Sequence, residues 1–339
     1  MTDTEANRYT RADYQSDQEV RWCPGCGDYA ILASVQSFLA EEGLDREKVV
    51  FVSGIGCSSR FPYYVNTYGF HGIHGRAPAV ATGIALANPD LSVWVVTGDG
   101  DALSIGGNHF IHAIRRNLNI KILLFNNQIY GLTKGQHSPT SEPGKRTKSS
   151  PGGSIGSPFN PVSLALGAEA AFVARTIDSD RALTIEVLHR AQRHRGTAFI
   201  EIYQRCNVFN NQAFVALTGK EERLENRINL RHGKPVTFGR HDEKGVVLHA
   251  GGARIVDVAE VGLAALHVHD EHVPDPSAAF ALSRLSPGPQ GPTPVGVFRD
   301  VQRPVYEDEL QRQMRDAQQR PGPADLRELV RQTGTWTVA

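Results

Sequence analysis

The sequence has no excess of either charge, no long apolar run and few cysteines. Lysine plus arginine equal aspartate plus glutamate at 36 each among 339 residues, so charge does not favour nucleic acid as a partner. No apolar stretch approaches the roughly 18 residues of a membrane-spanning helix, so no membrane partner is expected. Residues 1–20 are polar and lack the apolar centre of a secretion signal. We therefore expect a cytoplasmic protein.

The chain is long enough for one large domain with an appendage, or for two small domains. The alternation of apolar and glycine-punctuated segments weakens after about residue 211, and a sparser region begins at Gly233-Lys234-Pro235. The predicted organisation is an N-terminal arm over 1–20, a main domain over 21–230 and a C-terminal extension over 231–339. We expect the arm to be flexible.

Residues 94–136 are the stretch around which the chain is organised. An apolar run from Trp94 to Thr97 predicts a buried strand that ends in Gly-Asp-Gly-Asp at 98–101. A helical pattern follows, and a second buried strand over Ile120–Phe125 ends in Asn-Asn at 126–127. A strand, helix and strand in this order predict a parallel pair. Because ligands bind outside the carboxyl ends of such strands, both clusters should face one pocket.

These two clusters have the chemistry of a diphosphate site with a divalent metal. Gly98 and Gly100 allow close approach of the backbone, backbone N–H groups at the following helix can face phosphate, and Asp99 and Asn127 offer the hard oxygens that suit magnesium. The alternative is a plain glycine turn and an Asn-Asn loop, because GDG alone is a weak signal. GDG followed by NN about 27 residues later, each after a buried strand, resembles the signature of thiamine diphosphate enzymes. That resemblance implies Mg²⁺ binding by the Asp99 and Asn127 side chains and the Ile129 carbonyl.

The cysteines are Cys23, Cys26, Cys57 and Cys206. Disulfides are not expected in a cytosolic chain. Three interpretations remain: unconnected buried thiols, a tetrathiolate zinc site and a [4Fe–4S] cluster. Zinc sites usually pair two close doublets, whereas one Cys-x-x-Cys doublet with two distant single cysteines is compatible with the cluster. The spacing therefore favours the cluster.

Further elements follow from periodicity and from helix caps. Asp28 is predicted to cap a helix over about 29–42. Other predicted helices lie at 78–87, 104–116, 161–166, 180–194, 220–226, 255–269 and 306–318, and other strands at 49–52, 171–175 and 197–203. Residues 131–160 are a long loop, which favours a lid or a partner-binding surface over a disordered excursion. His267, His269 and His272 are interpreted as surface histidines rather than a metal cluster, because their spacing is not helical.

The motifs CPGCGD, GIGCSS, HGIHGRA, GDGDALSIGGNH, NNQIYGLTKGQ and YQRC occur in this order. Together they resemble the β subunit of the 2-oxoacid:ferredoxin oxidoreductases, specifically the 2-oxoglutarate type. The resemblance runs from about Arg21 to Asn210 and weakens thereafter. It implies an α/β thiamine-diphosphate-binding fold, with a mostly parallel sheet flanked by helices, plus a C-terminal extension.

The resemblance also implies roles for individual residues. The four cysteines correspond to the ligands of one [4Fe–4S] cluster, with Cys57 also part of the cofactor wall. His74 corresponds to a catalytic histidine that contacts the cofactor. The implied contacts of thiamine diphosphate are Ile55, Gly56, Cys57, Ser58, His74, Gly98, Gly100, Asp101, Gly131 and Leu132.

The implied reaction is the oxidative decarboxylation of 2-oxoglutarate to succinyl-CoA and CO₂, with coenzyme A as acyl acceptor and ferredoxin as electron acceptor. The distal carboxylate of this substrate needs a cation. Arg60 and Lys134 lie inside cofactor motifs and are interpreted, with Leu132, as substrate-binding residues; the alternative is that both are solvated surface charges. Pyruvate, or several 2-oxoacids, remain alternative substrates.

The cofactor also needs a glutamate that no motif here supplies. In the family an α subunit provides that glutamate and binds coenzyme A, so we expect half an active site in an αβ dimer or an (αβ)₂ assembly. The alternatives are a thiamine diphosphate decarboxylase or synthase without a cluster, and a zinc-binding interaction module.

Overall fold

The computed structural model describes residues 9–286, 288–319, 325–331, Gly334 and Trp336. The strands, in chain order, are β1 Val49–Ser53, β2 Tyr68–His71, β3 Ser92–Gly98, β4 Ile120–Asn126, β5 Phe172–Ile177, β6 Ala198–Tyr203, β7 Arg227–Asn229, β8 Thr237–Phe238, β9 Lys244–His249, β10 Gly252–Asp257 and β11 Thr293–Asp300. The helices are α1 Asp28–Glu42, α2 Ala77–Ala87, α3 Asp99–Leu103, α4 Gly107–Arg116, α5 Pro161–Gly167, α6 Arg181–Arg193, α7 Val215–Thr218, α8 Glu222–Asn226, α9 Val258–Val261, α10 Ser277–Ser283, α11 Tyr306–Gln318 and α12 Leu326–Arg331.

In the described residues, eight strands form one mixed sheet in the order β2-β1-β3-β4-β6-β5-β11-β7. Neighbouring strands from β2 to β5 are parallel, whereas β11 is antiparallel to β5 and parallel to β7. The prediction of a mostly parallel sheet flanked by helices is confirmed. The carboxyl ends of β1, β3 and β4 therefore meet at one edge, as the site requires.

Both faces of this sheet are covered, which explains why its strands are continuous apolar runs. On one face, Val93 and Val95 of β3 belong to a core with the small residues of α2 and with Phe110 of α4. On the other face, Trp94 and Val96 pack in a core with the apolar residues of α1 and α6. The alternation of side chains along β3 thus divides one apolar run between two cores.

The helix predicted over 255–269 is wrong. Residues Gly252–Asp257 form β10, which pairs antiparallel with β9 in a small β10-β9-β8 sheet and places Ile255 opposite Val246. The helix that follows, Val258–Val261, ends at Gly262 with φ of 78°. Pairing with the preceding strand β9, across the turn at 250–251, overrides the weak helical period here. By contrast, the predicted helix over 306–318 is confirmed as α11.

The described part of the predicted arm, residues 9–20, lies against the main domain. The Tyr14 side chain is fully buried and its hydroxyl donates to the Leu44 carbonyl, while Gln15 forms a β-bridge with Val65. The expectation of a flexible arm is therefore wrong for this part, and residues 1–8 lie outside the described residues. The predicted boundary at residue 230 stays a prediction, although β11 from the extension joins the main sheet.

Asp28 is not the N-cap of α1: Gly27 takes that position and Asp28 is the first helical residue. Among the described residues, no helix is both long enough and apolar enough to cross a bilayer.

Candidate functional site

A cavity of about 460 Å³ opens at the carboxyl ends of β1, β3 and β4. Its wall is built by the glycine-rich turns that follow these strands. Every residue that the sequence assigned to thiamine diphosphate or to magnesium lines it, namely Ile55, Gly56, Cys57, Ser58, His74, Gly98, Asp99, Gly100, Asp101, Asn127, Ile129, Gly131 and Leu132. The fold thus brings four separate sequence motifs to one place.

Asp99 is the first residue of α3, directly after β3, and is only 3% exposed. The hydroxyls of Ser138 and Thr140 both donate to its Oδ2 at 2.5 Å. Burial raises the pKa of Asp99 to about 6, and these hydrogen bonds partly oppose that shift. A cation beside the carboxylate would compensate the cost of burying its charge, so the position suits a metal ligand.

The loop after β4 brings two further residues with oxygen ligands to the same cavity. Gln128 has a φ of +56°, a left-handed conformation that is uncommon for a residue with a side chain. Its neighbours Asn127 and Ile129 line the cavity, while its own side-chain amide donates to the Thr140 carbonyl at 3.0 Å. The Asn127 Oδ1 accepts from the Ile129 N–H at 3.1 Å and keeps a second lone pair. The carboxylate, amide and carbonyl oxygens present here fit the ligand preference of Mg²⁺.

Asp101 holds the loops of the cavity together. Its carboxylate accepts from the backbone N–H of Ile55 at 3.2 Å and of Gly75 at 2.7 Å, and from the Thr97 hydroxyl at 2.7 Å. It also contacts Nδ1 of His74. The Asp101 side chain therefore positions His74 and the GIGC turn, and this arrangement leaves Nε2 of His74 for a ligand.

Gly100 lies directly under the ring of Tyr130. A Cβ at position 100 would lie 2.2 Å from Cε1 and 2.5 Å from Cζ of that ring. The Tyr130 hydroxyl donates to the Gly100 carbonyl at 3.0 Å. Only glycine permits this contact, so the second glycine of GDG lets the Asn-Asn loop close over the turn.

A second cavity, of about 250 Å³, is lined by all four cysteines. The Cys23–Cys26 turn is closed by a Cys26 N–H to Cys23 carbonyl bond at 3.0 Å. Bonds from Gly27 N–H to the Arg205 carbonyl, at 3.0 Å, and from Gln204 Nε2 to Cys26 Sγ, at 3.2 Å, join this turn to the segment that carries Cys206.

Two of the four thiols, Cys26 and Cys57, are not tuned as free nucleophiles. Burial raises the pKa of Cys26 well above its usual range and that of Cys57 to about 12, and the nearby Asp28 carboxylate adds to both shifts. These two thiols therefore stay protonated at neutral pH unless a cation stabilises the thiolates. Four cysteines around one cavity fit an iron–sulfur cluster. Among the described residues, no three of their sulfurs lie within 4.8 Å of one another, as the ligands of a single zinc ion would.

The two cavities share a wall. The residues that line both are Cys57, Asn127, Gly131, Leu132 and Gln204. A Cβ at position 131 would lie 3.5 Å from Cys57 Sγ and 3.7 Å from Cys206 Sγ, so two of the thiols lie beside this glycine. Whatever the cysteines bind therefore lies next to the cofactor cavity.

Arg60 and Lys134, the predicted substrate cations, line the cysteine cavity but not the larger one, whereas Leu132 lines both. Arg60 donates from Nη1 to the Arg21 carbonyl at 3.3 Å. Lys134 is exposed and has a φ of +80°. Both cations thus lie on the cysteine side of the shared wall, and their substrate role stays a prediction.

Sequence reasoning missed Ser138, Thr140 and Tyr130 as parts of the site. The two hydroxyls lie in the 131–160 loop, which is not the alternative disordered excursion: turns order it, and Lys145 Nζ donates to Asn210 Oδ1 at 2.6 Å. The signal available was the Ser-Pro-Thr-Ser run shortly after the Asn-Asn motif. The lid function of this loop stays a prediction.

The three histidines near residue 270 are not all on the surface. His269 is 2% exposed and its Nε2 lies 2.8 Å from the Val297 carbonyl, which contradicts the interpretation for this residue. His267 is half-buried and only His272 is exposed among the three. Because the segment is extended rather than helical, alternate residues point inward.

Comparison with known proteins identifies related chains. A family model described as "Thiamine pyrophosphate enzyme, C-terminal TPP binding domain" matches residues 54–202. The 2-oxoglutarate oxidoreductase subunit KorB of Mycobacterium tuberculosis is 59% identical over 96% of this chain and 88% of its own length. The β subunit of 2-oxoacid:ferredoxin oxidoreductase 2 from Aeropyrum pernix is 48% identical over 59% of this chain and 64% of its own.

A solved structure is similar along nearly the whole chain. It is the 2-oxoglutarate:ferredoxin oxidoreductase of Magnetococcus marinus with 2-oxoglutarate, coenzyme A and succinyl-CoA bound. The match has a TM-score of 0.78 and 32% identity, and it covers 98% of both chains. The similarity therefore includes the C-terminal part, where the sequence motifs are weak.

Proposed function

The chain belongs to the β subunits of the 2-oxoacid:ferredoxin oxidoreductases, and we propose that it provides the cofactor half of an enzyme that oxidatively decarboxylates 2-oxoglutarate. The products are succinyl-CoA and CO₂, and the electrons go to ferredoxin. The observation that carries this proposal is the wall shared by the cofactor cavity and the four-cysteine cavity, with Cys57 in both.

The larger cavity is proposed to hold thiamine diphosphate and Mg²⁺. When bound, thiamine diphosphate supplies the nucleophilic carbon for attack on the keto group of the substrate. Asp99, Asn127 and the Ile129 carbonyl would hold the metal and thereby anchor the diphosphate. His74 would hydrogen-bond the ligand through Nε2, in the tautomer that its contact with Asp101 selects.

The smaller cavity is proposed to hold one [4Fe–4S] cluster. Two observations favour a cluster over a single zinc ion: the cavity of about 250 Å³ exceeds the space one ion needs, and it adjoins the cofactor. Cys57 lines the cofactor cavity itself, and Cys206 lies on the other side of Gly131, which lines both cavities. This short separation suits direct electron transfer from the cofactor side to the cluster.

An α subunit is proposed as the obligatory partner. Among the described residues, no glutamate lines the larger cavity, although thiamine diphosphate needs one to activate its aminopyrimidine. Ile55, Ile73, Ile105 and Leu132 lie at or beside this cavity and expose large apolar side chains, which suits burial by another chain. The proposed assembly is an αβ dimer or (αβ)₂, in which the α subunit also binds coenzyme A. The cytoplasmic location stays a prediction from the sequence.

Arg60 and Lys134 are proposed to bind the distal carboxylate of 2-oxoglutarate, with Leu132 against its carbon chain. Support comes from their place in the lining of the cysteine cavity together with Leu132, which also lines the cofactor cavity. A carboxylate between two cations gains charge-assisted hydrogen bonds, which pyruvate cannot form.

The proposal is tested with the chain co-expressed with its α subunit and purified without oxygen. Coenzyme A-dependent reduction of ferredoxin should occur with 2-oxoglutarate, at a kcat/KM at least about tenfold above that for pyruvate. Equal or greater activity with pyruvate would contradict the substrate assignment. Zinc in place of iron, with no bound thiamine diphosphate, would contradict the enzyme assignment as a whole.

A further inference from the structure

A third group of ligand-type side chains lies in the C-terminal part, and it is separate from both cavities. His232 follows β7, while Glu271 and His272 precede α10. One ligand atom from each of the three lies within 4.8 Å of the others. The two histidines are exposed and Glu271 is buried, so the group is open to solvent on one side.

The hydrogen bonds of His272 fix its tautomer. Its Nδ1 lies 2.7 Å from the Asp300 carbonyl, which only accepts, so the proton is on Nδ1. In this tautomer of the neutral ring, Nε2 carries the lone pair and lies 3.6 Å from Oε1 of Glu271. A backbone carbonyl on the far nitrogen is the arrangement that orients histidine ligands in metal sites.

Glu271 is held in place from behind. Arg190 donates to Oε1 at 2.7 Å and to Oε2 at 3.1 Å, and it also contacts Asp300 Oδ2 at 3.0 Å. Each carboxylate oxygen keeps a further lone pair. Arg190 thus faces the two carboxylates of Glu271 and Asp300, and the carboxylate of Asp270 lies beside His232, so carboxylates outnumber guanidinium groups around this cluster.

His232 approaches from a different loop. Its ring centroid is 4.7 Å from that of His272, and its Nδ1 is 3.5 Å from Oδ1 of Asp270. The bond from Gly233 N–H to the His269 carbonyl, at 2.8 Å, holds this loop against the segment that carries Glu271. The two imidazoles and the Glu271 carboxylate therefore meet at one place from two separate segments of the chain.

We propose that His232, Glu271 and His272 bind one zinc-type divalent ion, with water completing the coordination. Two imidazoles and one carboxylate suit zinc, whereas magnesium prefers oxygen ligands alone. The ion would join the loop after β7 to the segment before α10, and through Arg190 to α6. Its role is structural, and the inference does not depend on the proposed function.

The test uses the αβ holoenzyme, with its iron–sulfur cluster intact and with saturating Mg²⁺ and thiamine diphosphate, so that the other metal sites are filled. After treatment with a mild chelator, Co²⁺ is titrated and its visible absorption recorded, and Zn²⁺ is then titrated by calorimetry. We expect one ion per chain, a dissociation constant at or below about 10 µM, and no sulfur-to-cobalt charge-transfer band.

The decisive variants are His232→Gln and His272→Gln. Each should weaken Zn²⁺ affinity by at least about tenfold, because each removes one ligand. His241→Gln, which changes another exposed histidine of the same region, should leave it unchanged. Zn²⁺ should also raise the melting temperature of the wild-type protein but not that of the two variants.

Three outcomes would overturn the proposal. They are no saturable binding below about 1 mM, a sulfur-containing cobalt spectrum, and unchanged affinity in both variants. Since both histidines are exposed, iron and thiamine diphosphate contents equal to wild type will verify that each variant is folded. A variant that fails this criterion is replaced by His→Asn at the same position, judged by the same outcomes.

Discussion

The contact between Gly100 and Tyr130 offers a sharp test of how the cofactor cavity is built. In Gly100→Ala the new Cβ would lie 2.2 Å from Tyr130 Cε1, closer than the 3.0 Å that real Cβ atoms keep. The rigid ring must move, and with it the hydroxyl bond to the Gly100 carbonyl. Because Tyr130 follows the proposed metal ligand Ile129 directly, this movement should disturb the magnesium site.

The expected loss of thiamine diphosphate affinity in Gly100→Ala follows from the cost of overpacking, which is about 1–3 kcal/mol. If that cost falls on the bound state, thiamine diphosphate affinity should drop by about fivefold to 150-fold, at 1.4 kcal/mol per factor of ten. Titration calorimetry of the αβ complex at saturating Mg²⁺ measures it. Gly107→Ala is the matched control, since a Cβ there meets nothing within 4 Å and should leave the affinity unchanged.

A double variant identifies the cause. Tyr130→Ala removes the ring. In that background, Gly100→Ala should cost less than about 0.5 kcal/mol of binding free energy. Its effect then depends on Tyr130, as is expected of two residues in contact. Wild-type affinity in Gly100→Ala would refute the reasoning. An equal penalty with and without the ring would also refute it, because the loss would then come from the backbone at position 100.

Three further predictions concern the metal, the cluster and the substrate. Asp99 must be ionised to bind Mg²⁺ and has a pKa of about 6, so thiamine diphosphate affinity should fall by up to about tenfold per pH unit below pH 6. Asp99→Asn should lower the affinity at least about tenfold at pH 7.5 and flatten that dependence. Cys206→Ala should remove most iron but leave thiamine diphosphate affinity within about twofold, because Cys206 does not line the larger cavity. Arg60→Ile and Lys134→Ala should each lower kcat/KM for 2-oxoglutarate by about ten- to a hundredfold and spare pyruvate.

Each of these predictions has a contrary result. A pH dependence that persists in Asp99→Asn would assign the titration to another group. Cys57→Ala is the control for Cys206→Ala, because Cys57 lines both cavities and its loss should lower both iron content and cofactor affinity. Full iron retention in Cys206→Ala would show that Cys206 is not a cluster ligand. Equal loss with both substrates in the Arg60 and Lys134 variants would mean that these cations serve the cofactor or the fold.

The sequence predicts the cofactor edge of the sheet well for a physical reason. Parallel strands buried on both faces are continuous apolar runs, so β3 and β4 stand out, and the polar clusters at Gly98–Asp101 and Asn126–Asn127 mark their carboxyl ends. The small residues of α2 likewise indicate close packing on the sheet, and Ala77, Ala81 and Ala85 are buried there.

Interactions between distant segments were not predictable in this way. The hydroxyls on Asp99 come from 39 and 41 residues further along the chain, in a loop without periodicity. The buried pair of Arg175 Nε and Glu201 Oε2, at 2.7 Å, joins two strands that are otherwise apolar. The misassignment of 255–269 has a local cause instead: its first residues pair with the preceding strand β9 in a hairpin, which the pattern of apolar residues does not indicate.

The central claim is that one chain holds thiamine diphosphate and a [4Fe–4S] cluster on two sides of a wall that includes Cys57. The most direct measurement is an anaerobic titration of the αβ complex with 2-oxoglutarate and coenzyme A, in which the iron–sulfur absorption near 400 nm and the succinyl-CoA formed are followed together. The account predicts about four iron atoms per chain, bleaching of that absorption by 2-oxoglutarate, and recovery on addition of oxidised ferredoxin. A complex that contains iron and thiamine diphosphate, but whose absorption does not change when 2-oxoglutarate is consumed, would contradict it.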